Sequence, residues 1–147
     1  MKKKSIFTLG STLLSMLMFT ACSAQSASSS SAISSQATEA QAVYHQITAE
    51  QAKKRMDENT DAIILDVRTQ QEYDEKHIGG ALLLPNENIK DTRPEQLPDL
   101  NAEILVYCRS GNRSRQAAEK LVALGYTAVY DFGGINSWPY ETVAGDK

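Results

Sequence analysis

A thiol, two guanidinium groups and a glycine lie together in the segment from Cys108 to Ser114, which reads CRSGNRS. The apolar run ILVY precedes this segment, and the amphipathic pattern SRQAAEKLVALG begins at Ser114. Apolar run, polar loop and helical pattern predict a strand–loop–helix unit, in which the N–H groups of the loop converge as they do at anion sites. A helix N-terminus and neighbouring cations favour a thiolate there, so the segment predicts sulfur chemistry at Cys108.

Three helices are expected to support this loop. The helix after the loop has the clearest pattern: its apolar residues form one stripe over residues 114–124, and Gly125 is expected to be the C-cap. The other two are predicted by capping boxes, in which a threonine is followed three residues later by Gln or Glu. The box at residues 48–51 opens a helix that runs to about Glu58, and the box at residues 69–72 opens a short helix.

Short apolar runs between these helices predict the strands of a sheet. They are expected over residues 43–47, 61–67, 81–84, 104–107 and 127–132, with a terminal helix over residues 135–140. The polar residues 86–102 are expected to form at most short helical turns. Alternating strands and helices predict an α/β fold, with a central, mainly parallel sheet of about five strands and helices on both faces. Ligands bind beyond the carboxyl ends of such strands, where Cys108 is expected.

Two charged residues, Asp66 and Arg68, stand at the end of a predicted central strand. They are candidates for the pocket wall or for structural support of the site, and the structural role is favoured. Arg68 is also four residues before Glu72, a spacing at which the two side chains would pair across the helix start. No cluster of histidine, cysteine or carboxylate residues has metal-ligand spacing, so neither a metal nor a cofactor is expected.

The N-terminus has the pattern of an export signal. Three lysines at positions 2–4 precede a mostly apolar stretch over residues 6–19, whose length and Gly/Ser interruptions favour a signal peptide over a membrane-spanning helix. The sequence FTAC, which ends at Cys22, resembles a bacterial lipobox and predicts removal of residues 1–21 and lipidation of Cys22. Cleavage a few residues later, with release of a soluble secreted or periplasmic protein, is the alternative.

The composition of the rest of the chain predicts a tether followed by a folded domain, and its charge argues against one class of partner. Residues 22–42 are rich in Ser, Ala and Gln and predict a flexible tether, which leaves residues 43–147 as the folded domain. Removal of residues 1–21 takes away three lysines and no acidic residue, so the formal net charge goes from −3 to −6. An acidic chain without a basic stripe is a poor candidate for nucleic-acid binding.

Several short motifs occur in a fixed order over residues 45–142. They are DVR at 66–68, EY at 72–73, HI at 77–78 with GA at 80–81, Pro85, CRSGNRS at 108–114, GY at 125–126 with Val129, GG at 133–134, and Trp138. In this order they make the chain resemble a single-domain rhodanese, a protein of the thiosulfate sulfurtransferase type. The resemblance implies a rhodanese-like fold, and it implies an architectural role for His77.

The resemblance also implies that Cys108 is the nucleophile of a sulfurtransferase. Its thiolate would take a sulfane sulfur from a donor such as thiosulfate, become a persulfide, and pass the sulfur to cyanide or a thiol. Arg109 and Arg113 would bind a sulfonate-like group, and Gly111 would permit the positive φ of a curled loop. The residues expected to bind substrate or stabilise the thiolate are Arg109, Ser110, Gly111, Asn112, Arg113 and Ser114.

Loop length separates two chemistries that use a cysteine and an arginine. Cysteine phosphatases and related arsenate reductases place five residues between the two, which gives a loop wide enough for a tetrahedral oxyanion. Here four residues separate Cys108 from Arg113. The shorter loop resembles that of the sulfurtransferases, which fit a single sulfur, and it argues against phosphatase activity.

Two classes of function remain. The leading hypothesis is a sulfurtransferase on the extracytoplasmic face of the cell membrane, anchored through lipid at Cys22. Its partners would be a small anionic sulfur donor and an external thiol or protein acceptor, because no second free cysteine would remain in the chain. The alternative is a non-catalytic rhodanese-like module that binds a partner or senses sulfide or oxidant through Cys108. The intact cysteine and both arginines favour the enzyme.

Overall fold

The computed structural model describes residues 43–145, which form an α/β arrangement around one parallel sheet. The spatial order of the strands is β1-β5-β4-β2-β3, and every neighbouring pair is parallel. The expected mainly parallel sheet of about five strands is confirmed. The strands are β1 His45–Gln46, β2 Ile63–Asp66, β3 Leu82–Leu83, β4 Glu103–Cys108 and β5 Ala128–Gly134. The helices are α1 Ala49–Glu58, α2 Gln70–Glu75 and α3 Asn112–Ala123, with 3₁₀ turns at Asn86–Asn88 and Ile135–Ser137.

Alternating side chains of β4 build two cores, one on each face of the sheet. On one face, Ile104 and Val106 belong to a cluster with residues of α3 such as Leu121. On the other face, Leu105 and Tyr107 belong to a second cluster, which includes Ala52 of α1, Phe132 and Trp138. Successive side chains of a strand point to opposite faces, so α1 and α3 cover opposite sides of the sheet. The helices therefore lie on both faces, as expected.

Both predicted capping boxes are present. The Thr48 hydroxyl accepts a hydrogen bond from the Gln51 N–H, and the Gln51 side chain accepts one from the Thr48 N–H. In the same way, the Thr69 hydroxyl accepts from the Glu72 N–H, while the Glu72 carboxylate accepts from the Thr69 N–H. Each box satisfies two N–H groups that a helix start would otherwise leave without a partner. This explains why α1 and α2 begin directly after their threonines.

The helix after the cysteine loop begins two residues earlier than expected, at Asn112. Gly111 has a φ of +100°, which turns the chain into the helix at once and leaves only three residues between β4 and α3. At the other end the C-cap is Leu124, and Gly125 follows it with a φ of +97°. The N–H groups of Gly125 and Tyr126 donate to the carbonyls of Val122 and Leu121, the pattern of a Schellman motif.

Other boundaries differ from the sequence prediction. The edge strands β1 and β3 have two residues each, although five and four were expected, because only those residues pair with a neighbouring strand. The expected terminal helix over residues 135–140 is wrong: a single 3₁₀ turn ends at Ser137. Trp138 has extended backbone angles, as expected for a residue that precedes a proline, and Pro139 therefore prevents the helix from continuing.

The predicted signal over residues 1–21, the lipidation site Cys22 and the predicted tether over residues 22–42 lie outside the described residues and stay predictions. So does the expected domain boundary at residue 43. Among the described residues, none of the helices has the length and apolar character that a membrane crossing requires.

Candidate active site

The cysteine loop lies at the carboxyl edge of the sheet, as expected. Cys108 is the last residue of β4, the central strand, and α3 starts four residues later at Asn112. Only Arg109, Ser110 and Gly111 link the two elements, so the curl depends on the positive φ of Gly111. The structure thus brings the end of a buried strand and the start of a helix to the same point, around the Cys108 sulfur.

Hydrogen-bond donors of the loop surround this sulfur. The Gly111 N–H donates to Sγ at 3.1 Å, and the Ser114 hydroxyl lies 3.7 Å from Sγ. Burial alone would raise the pKa of the Cys108 thiol. Hydrogen bonding from the backbone of Ser114, Ser110 and Gly111 and from the Ser114 hydroxyl outweighs burial, so the pKa lies below its usual value. The loop therefore favours a thiolate, and it does so through its N–H groups more than through its arginines.

The Cys108 residue is only 1% exposed, and its sulfur lies beneath the loop rather than on the surface. The Ser114 hydroxyl is within hydrogen-bond distance of the carbonyl oxygens of Gly111 (3.1 Å) and Gly133 (3.2 Å). When the thiol is protonated, this hydroxyl can donate to a carbonyl; when the thiol is ionised, it can turn to the sulfur. Ser114 therefore serves both protonation states of Cys108.

A second segment, the end of β5, supports the loop from outside its sequence. Cys108 pairs with Gly134 across the sheet, and the Asn136 N–H donates to the Arg109 carbonyl at 3.2 Å. A side chain at Gly134 would place its Cβ 2.5 Å from the Arg109 oxygen and 2.6 Å from the Ser110 Cα. The sequence identified Gly134 only as part of a motif. The glycine pair directly after a predicted strand was the available signal for this close approach.

The two arginines of the loop have different environments. The Arg113 guanidinium donates two hydrogen bonds to the Glu72 carboxylate, at 2.7 and 2.8 Å. Hydrogen bonding from Arg113 lowers the pKa of Glu72 to about 2. Arg109 is exposed, and its side chain makes no hydrogen bond or ion pair with any residue of the described part of the chain. Of the two arginines expected to bind a sulfonate-like group, Arg113 is paired with Glu72 and Arg109 has an exposed side chain; their binding of a substrate stays a prediction.

Asp66 and Arg68 form a buried ion pair below the loop. The Arg68 guanidinium is 2.6 Å from an Asp66 oxygen, and it also donates to the Lys76 carbonyl at 2.6 Å. The exposed fraction is 0% for Asp66 and 3% for Arg68, so the pair acts mainly as structural support. The alternative pairing of Arg68 with Glu72 is wrong. Arg68 instead donates to Asp66, and the Glu72 carboxylate accepts from Arg113 of α3.

Two cavities flank the loop. A small one, of about 180 Å³, is lined by Arg68, Glu72, Glu75, Lys76, Arg109, Ile135 and Asn136. A larger one, of about 450 Å³, lies against Ser110, Gly111, Asn112 and Arg115 and reaches the ends of β1 and β5. Arg109 faces the first cavity, and Ser110 to Asn112 face the second. Four of the six residues expected to bind substrate are therefore divided between the two cavities, and Arg113 and Ser114 line neither.

His77 and Trp138 have structural environments. His77 is fully buried; its Nδ1 is 2.8 Å from the Tyr73 carbonyl oxygen, and its ring stacks on that of Tyr73 at 3.7 Å. Trp138 packs against Phe132 in the core. The environment of His77 agrees with the architectural role expected for it, and Trp138 belongs to the core. Within residues 43–145, no group of three or more His, Cys, Asp or Glu side chains is placed to hold a metal ion.

Comparison with known proteins gives the same family throughout. The family model described as Rhodanese-like domain matches residues 48–140. The chain is 36% identical over 81 residues to thiosulfate sulfurtransferase PspE of Escherichia coli, a match that covers 55% of this chain and 78% of that protein. It is 35% identical over 108 residues to thiosulfate sulfurtransferase GlpE of Pseudomonas fluorescens, which covers 70% of this chain and 95% of that protein.

Solved structures show the same similarity in three dimensions. A rhodanese with anions from E. coli is 34% identical and has a TM-score of 0.51, over 57% of this chain and 99% of that one. A rhodanese-like domain protein from Staphylococcus aureus is 30% identical and has a TM-score of 0.59, over 69% of this chain and 99% of that one.

Proposed function

The chain belongs to the rhodanese-like family and has sulfurtransferase relatives, and we propose that it moves a sulfane sulfur from an anionic donor to an external acceptor through a persulfide on Cys108. The observation that carries this proposal is the lowered pKa of Cys108 inside a curl of N–H donors, since a thiolate is the attacking form of cysteine. With thiosulfate as the donor, the transfer takes place in two steps.

The first step transfers one sulfur atom to the enzyme. The Cys108 thiolate attacks the outer sulfur of thiosulfate, a new S–S bond forms, and the old S–S bond breaks with its electron pair leaving on sulfite. The product is a cysteine persulfide anion, so the total charge is unchanged. The N–H groups of Gly111 and Ser114, already directed at the thiolate, are placed to stabilise the negative charge of the persulfide.

The second step regenerates the thiolate. Cyanide, or the thiolate of an external acceptor, attacks the outer sulfur of the persulfide, and the Cys108 sulfur leaves with the S–S electron pair. Within the described residues Cys108 is the only cysteine, so the acceptor must come from outside residues 43–145. The Cys108 residue is 1% exposed, which suits a donor that presents a single terminal sulfur atom to the thiolate.

Mass spectrometry of the purified chain tests the proposal. Incubation with thiosulfate should add the mass of one sulfur atom to the peptide that contains Cys108, and cyanide should then remove it as thiocyanate. Cys108→Ser should show neither event, because a hydroxyl cannot carry a sulfane sulfur. Absence of an adduct with every sulfane donor would overturn the enzyme proposal and favour a binding or sensing role for Cys108.

We further propose that the protein acts outside the cytoplasm, held at the membrane by lipid on Cys22. The support is in the sequence: three lysines, an apolar stretch and the sequence FTAC precede a Ser/Ala-rich segment. Cell fractionation should find the full chain in membranes and the Cys22→Ala variant in the soluble extracytoplasmic fraction. Membrane association that survives this substitution would contradict the lipid anchor.

A further inference from the structure

Glu72 has two roles in the structure, one local and one distant. Locally, its carboxylate accepts from the Thr69 N–H at 3.1 Å and completes the capping box of α2. The same carboxylate also takes both forked donors of Arg113, 41 positions later in the chain. The two side chains of this pair are about equally buried, with 25% of Arg113 and 23% of Glu72 exposed. Partial burial limits the screening of such a pair by water and salt.

The Glu72–Arg113 pair lies beside the small cavity next to the loop, and only one of its two residues lines that cavity. Glu72 lines the 180 Å³ cavity beside the loop, whereas Arg113 is not among its lining residues. Glu72, and not the Arg113 that it binds, therefore contributes to the wall of this cavity. Arg109 lines the same cavity and, within the described residues, its side chain has no acidic partner.

The other charged residues of the cavity wall balance one another. Arg68 is paired with Asp66 at 2.6 Å, and Glu75 and Lys76 bring one charge of each sign. Within the described residues, neither Arg109 nor Lys76 has an acidic partner, so a donor in this cavity meets two unpaired cations. The Arg113 cation is bound to Glu72 and does not line the cavity.

We propose that Glu72 is a specificity-determining residue, whose carboxylate masks Arg113 and thereby limits binding of doubly charged sulfur donors relative to singly charged ones. The inference rests on the proposed sulfur transfer through Cys108. Glu72 repels an anionic donor in this cavity, and the Arg113 charge that it neutralises adds no attraction. Because Coulomb energy scales with charge, this repulsion is about twice as large for a dianion as for a monoanion.

Two donors with the same reacting group separate charge from chemistry. Thiosulfate is a dianion, and methanethiosulfonate is a monoanion; each transfers its terminal sulfur to the thiolate. One S–S bond forms and one breaks in both cases, and the leaving groups are sulfite and methanesulfinate. A change that alters only the chemistry at Cys108 would affect the two donors similarly.

The decisive variant is Glu72→Gln, and the chain itself shows that it should fold. In α1 a glutamine, Gln51, already occupies the equivalent capping-box position and accepts from the Thr48 N–H at 2.9 Å. The substitution therefore removes the charge and keeps the cap. We expect KM to fall about threefold for methanethiosulfonate and about tenfold for thiosulfate, with kcat little changed. Added salt should reduce both effects.

The matched control is Gln51→Glu, which adds one negative charge at the capping box of α1, far from the cysteine loop in sequence. It should leave both KM values unchanged. For Glu72→Gln, an unchanged ratio of the two KM values, or a larger KM for thiosulfate, would overturn the proposal. A larger KM would mean that Glu72 holds Arg113 in a position that donors need.

A variant that leaves Glu72 in place keeps the inference testable if Glu72→Gln unfolds. Arg109→Gln should raise KM about threefold for methanethiosulfonate and about tenfold for thiosulfate, and equal changes would contradict the inference. Failure of the proposed function looks different. In that case the unmodified chain forms no persulfide with either donor, whereas failure of the present inference leaves persulfide formation intact.

Discussion

An arginine–carboxylate pair lies at each end of the central sheet, and the two pairs differ in their exposure to solvent. At the carboxyl end, Arg68 is 2.6 Å from Asp66, and the exposed fractions of the two side chains are 4% and 0%. At the amino end, Arg55 of α1 is 2.7 Å from Glu103, the first residue of β4, with exposed fractions of 39% and 18%. Each arginine also lies over a tyrosine ring.

The comparison indicates that burial, more than geometry, decides how much such a pair contributes to the free energy of unfolding. The two ion-pair distances are nearly equal, and Arg55 is even nearer its ring, at 4.0 Å compared with 5.6 Å for Arg68. An exposed pair contributes about 0.2–1 kcal/mol because water and salt screen it. Removing one partner of a buried pair costs about 3–5 kcal/mol because the other charge stays buried without compensation. The end of the sheet that carries the cysteine loop is the end with desolvated charges.

The largest effect is expected from Asp66→Asn, which would break the buried pair. It leaves the Arg68 guanidinium buried without a negative partner, so the free energy of unfolding should fall by about 3–5 kcal/mol. Urea unfolding followed by circular dichroism measures it. A loss below about 1 kcal/mol would mean that water reaches Arg68, and it would remove the distinction between the two ends of the sheet.

A second effect, of steric origin, should be confined to the carboxyl end. In Gly134→Ala the new Cβ would lie 2.5 Å from the Arg109 oxygen, so the loop must shift, at a cost of about 2 kcal/mol. Sulfur transfer should fall at least about tenfold, as measured by thiocyanate formation. The matched control is Gly79→Ala, whose Cβ would meet only the Val143 side chain, at 4.0 Å. Equal losses in the two variants would contradict this explanation.

A smaller effect is expected from Ser114→Ala, which removes the hydroxyl 3.7 Å from the Cys108 sulfur. Hydrogen bonds lower the pKa of Cys108, so loss of one should raise it, and the backbone donors that remain should keep part of the lowering. The pH dependence of iodoacetamide alkylation measures the shift. Ser137→Ala is the control, since its hydroxyl donates to the Gly134 carbonyl and not to the sulfur. A downward shift for Ser114→Ala would contradict the assigned role.

The smallest effect is expected at the amino end. Glu103→Gln removes the charge of the more exposed pair but keeps an oxygen that can accept from Arg55 or Asn59. The free energy of unfolding should fall by about 0.5 kcal/mol, and sulfur transfer should be unaffected. Urea unfolding in parallel with Asp66→Asn makes the comparison direct. A loss as large as that of Asp66→Asn would show that exposure does not separate the two pairs.

Features set by neighbouring residues could be predicted from the sequence. The two capping boxes depend only on a threonine and the side chain three residues later, and both formed as expected. The position of Cys108 at the carboxyl edge followed from the order of strand, loop and helix. The early start of α3 at Asn112 was missed, although a positive φ at Gly111 was expected, because Asn112 and Arg113 lie outside the apolar pattern that marked the helix.

Features that join distant segments could not be predicted in this way. Glu72 seemed placed to pair with Arg68, four residues before it, yet it pairs with Arg113, 41 residues later. The fold decides that choice, because it brings Glu72 of α2 within reach of Arg113 of α3 while Asp66 already pairs with Arg68. The support of the loop by Gly134 depends likewise on β5 lying beside β4. Local spacing offers a side chain several partners, and the tertiary fold selects among them.

The contact between β5 and the loop links the chemistry of Cys108 to folding. The unfolded chain has no ordered curl, so its thiol titrates with an ordinary pKa of about 8.5. The pKa of Cys108 is lower in the folded protein, and by thermodynamic linkage the thiolate therefore stabilises the native state. This contribution is fully present above the pKa of the unfolded thiol and is lost as the pH falls through the folded pKa. The reactive sulfur anion thus behaves as an internal ligand that only the native protein binds.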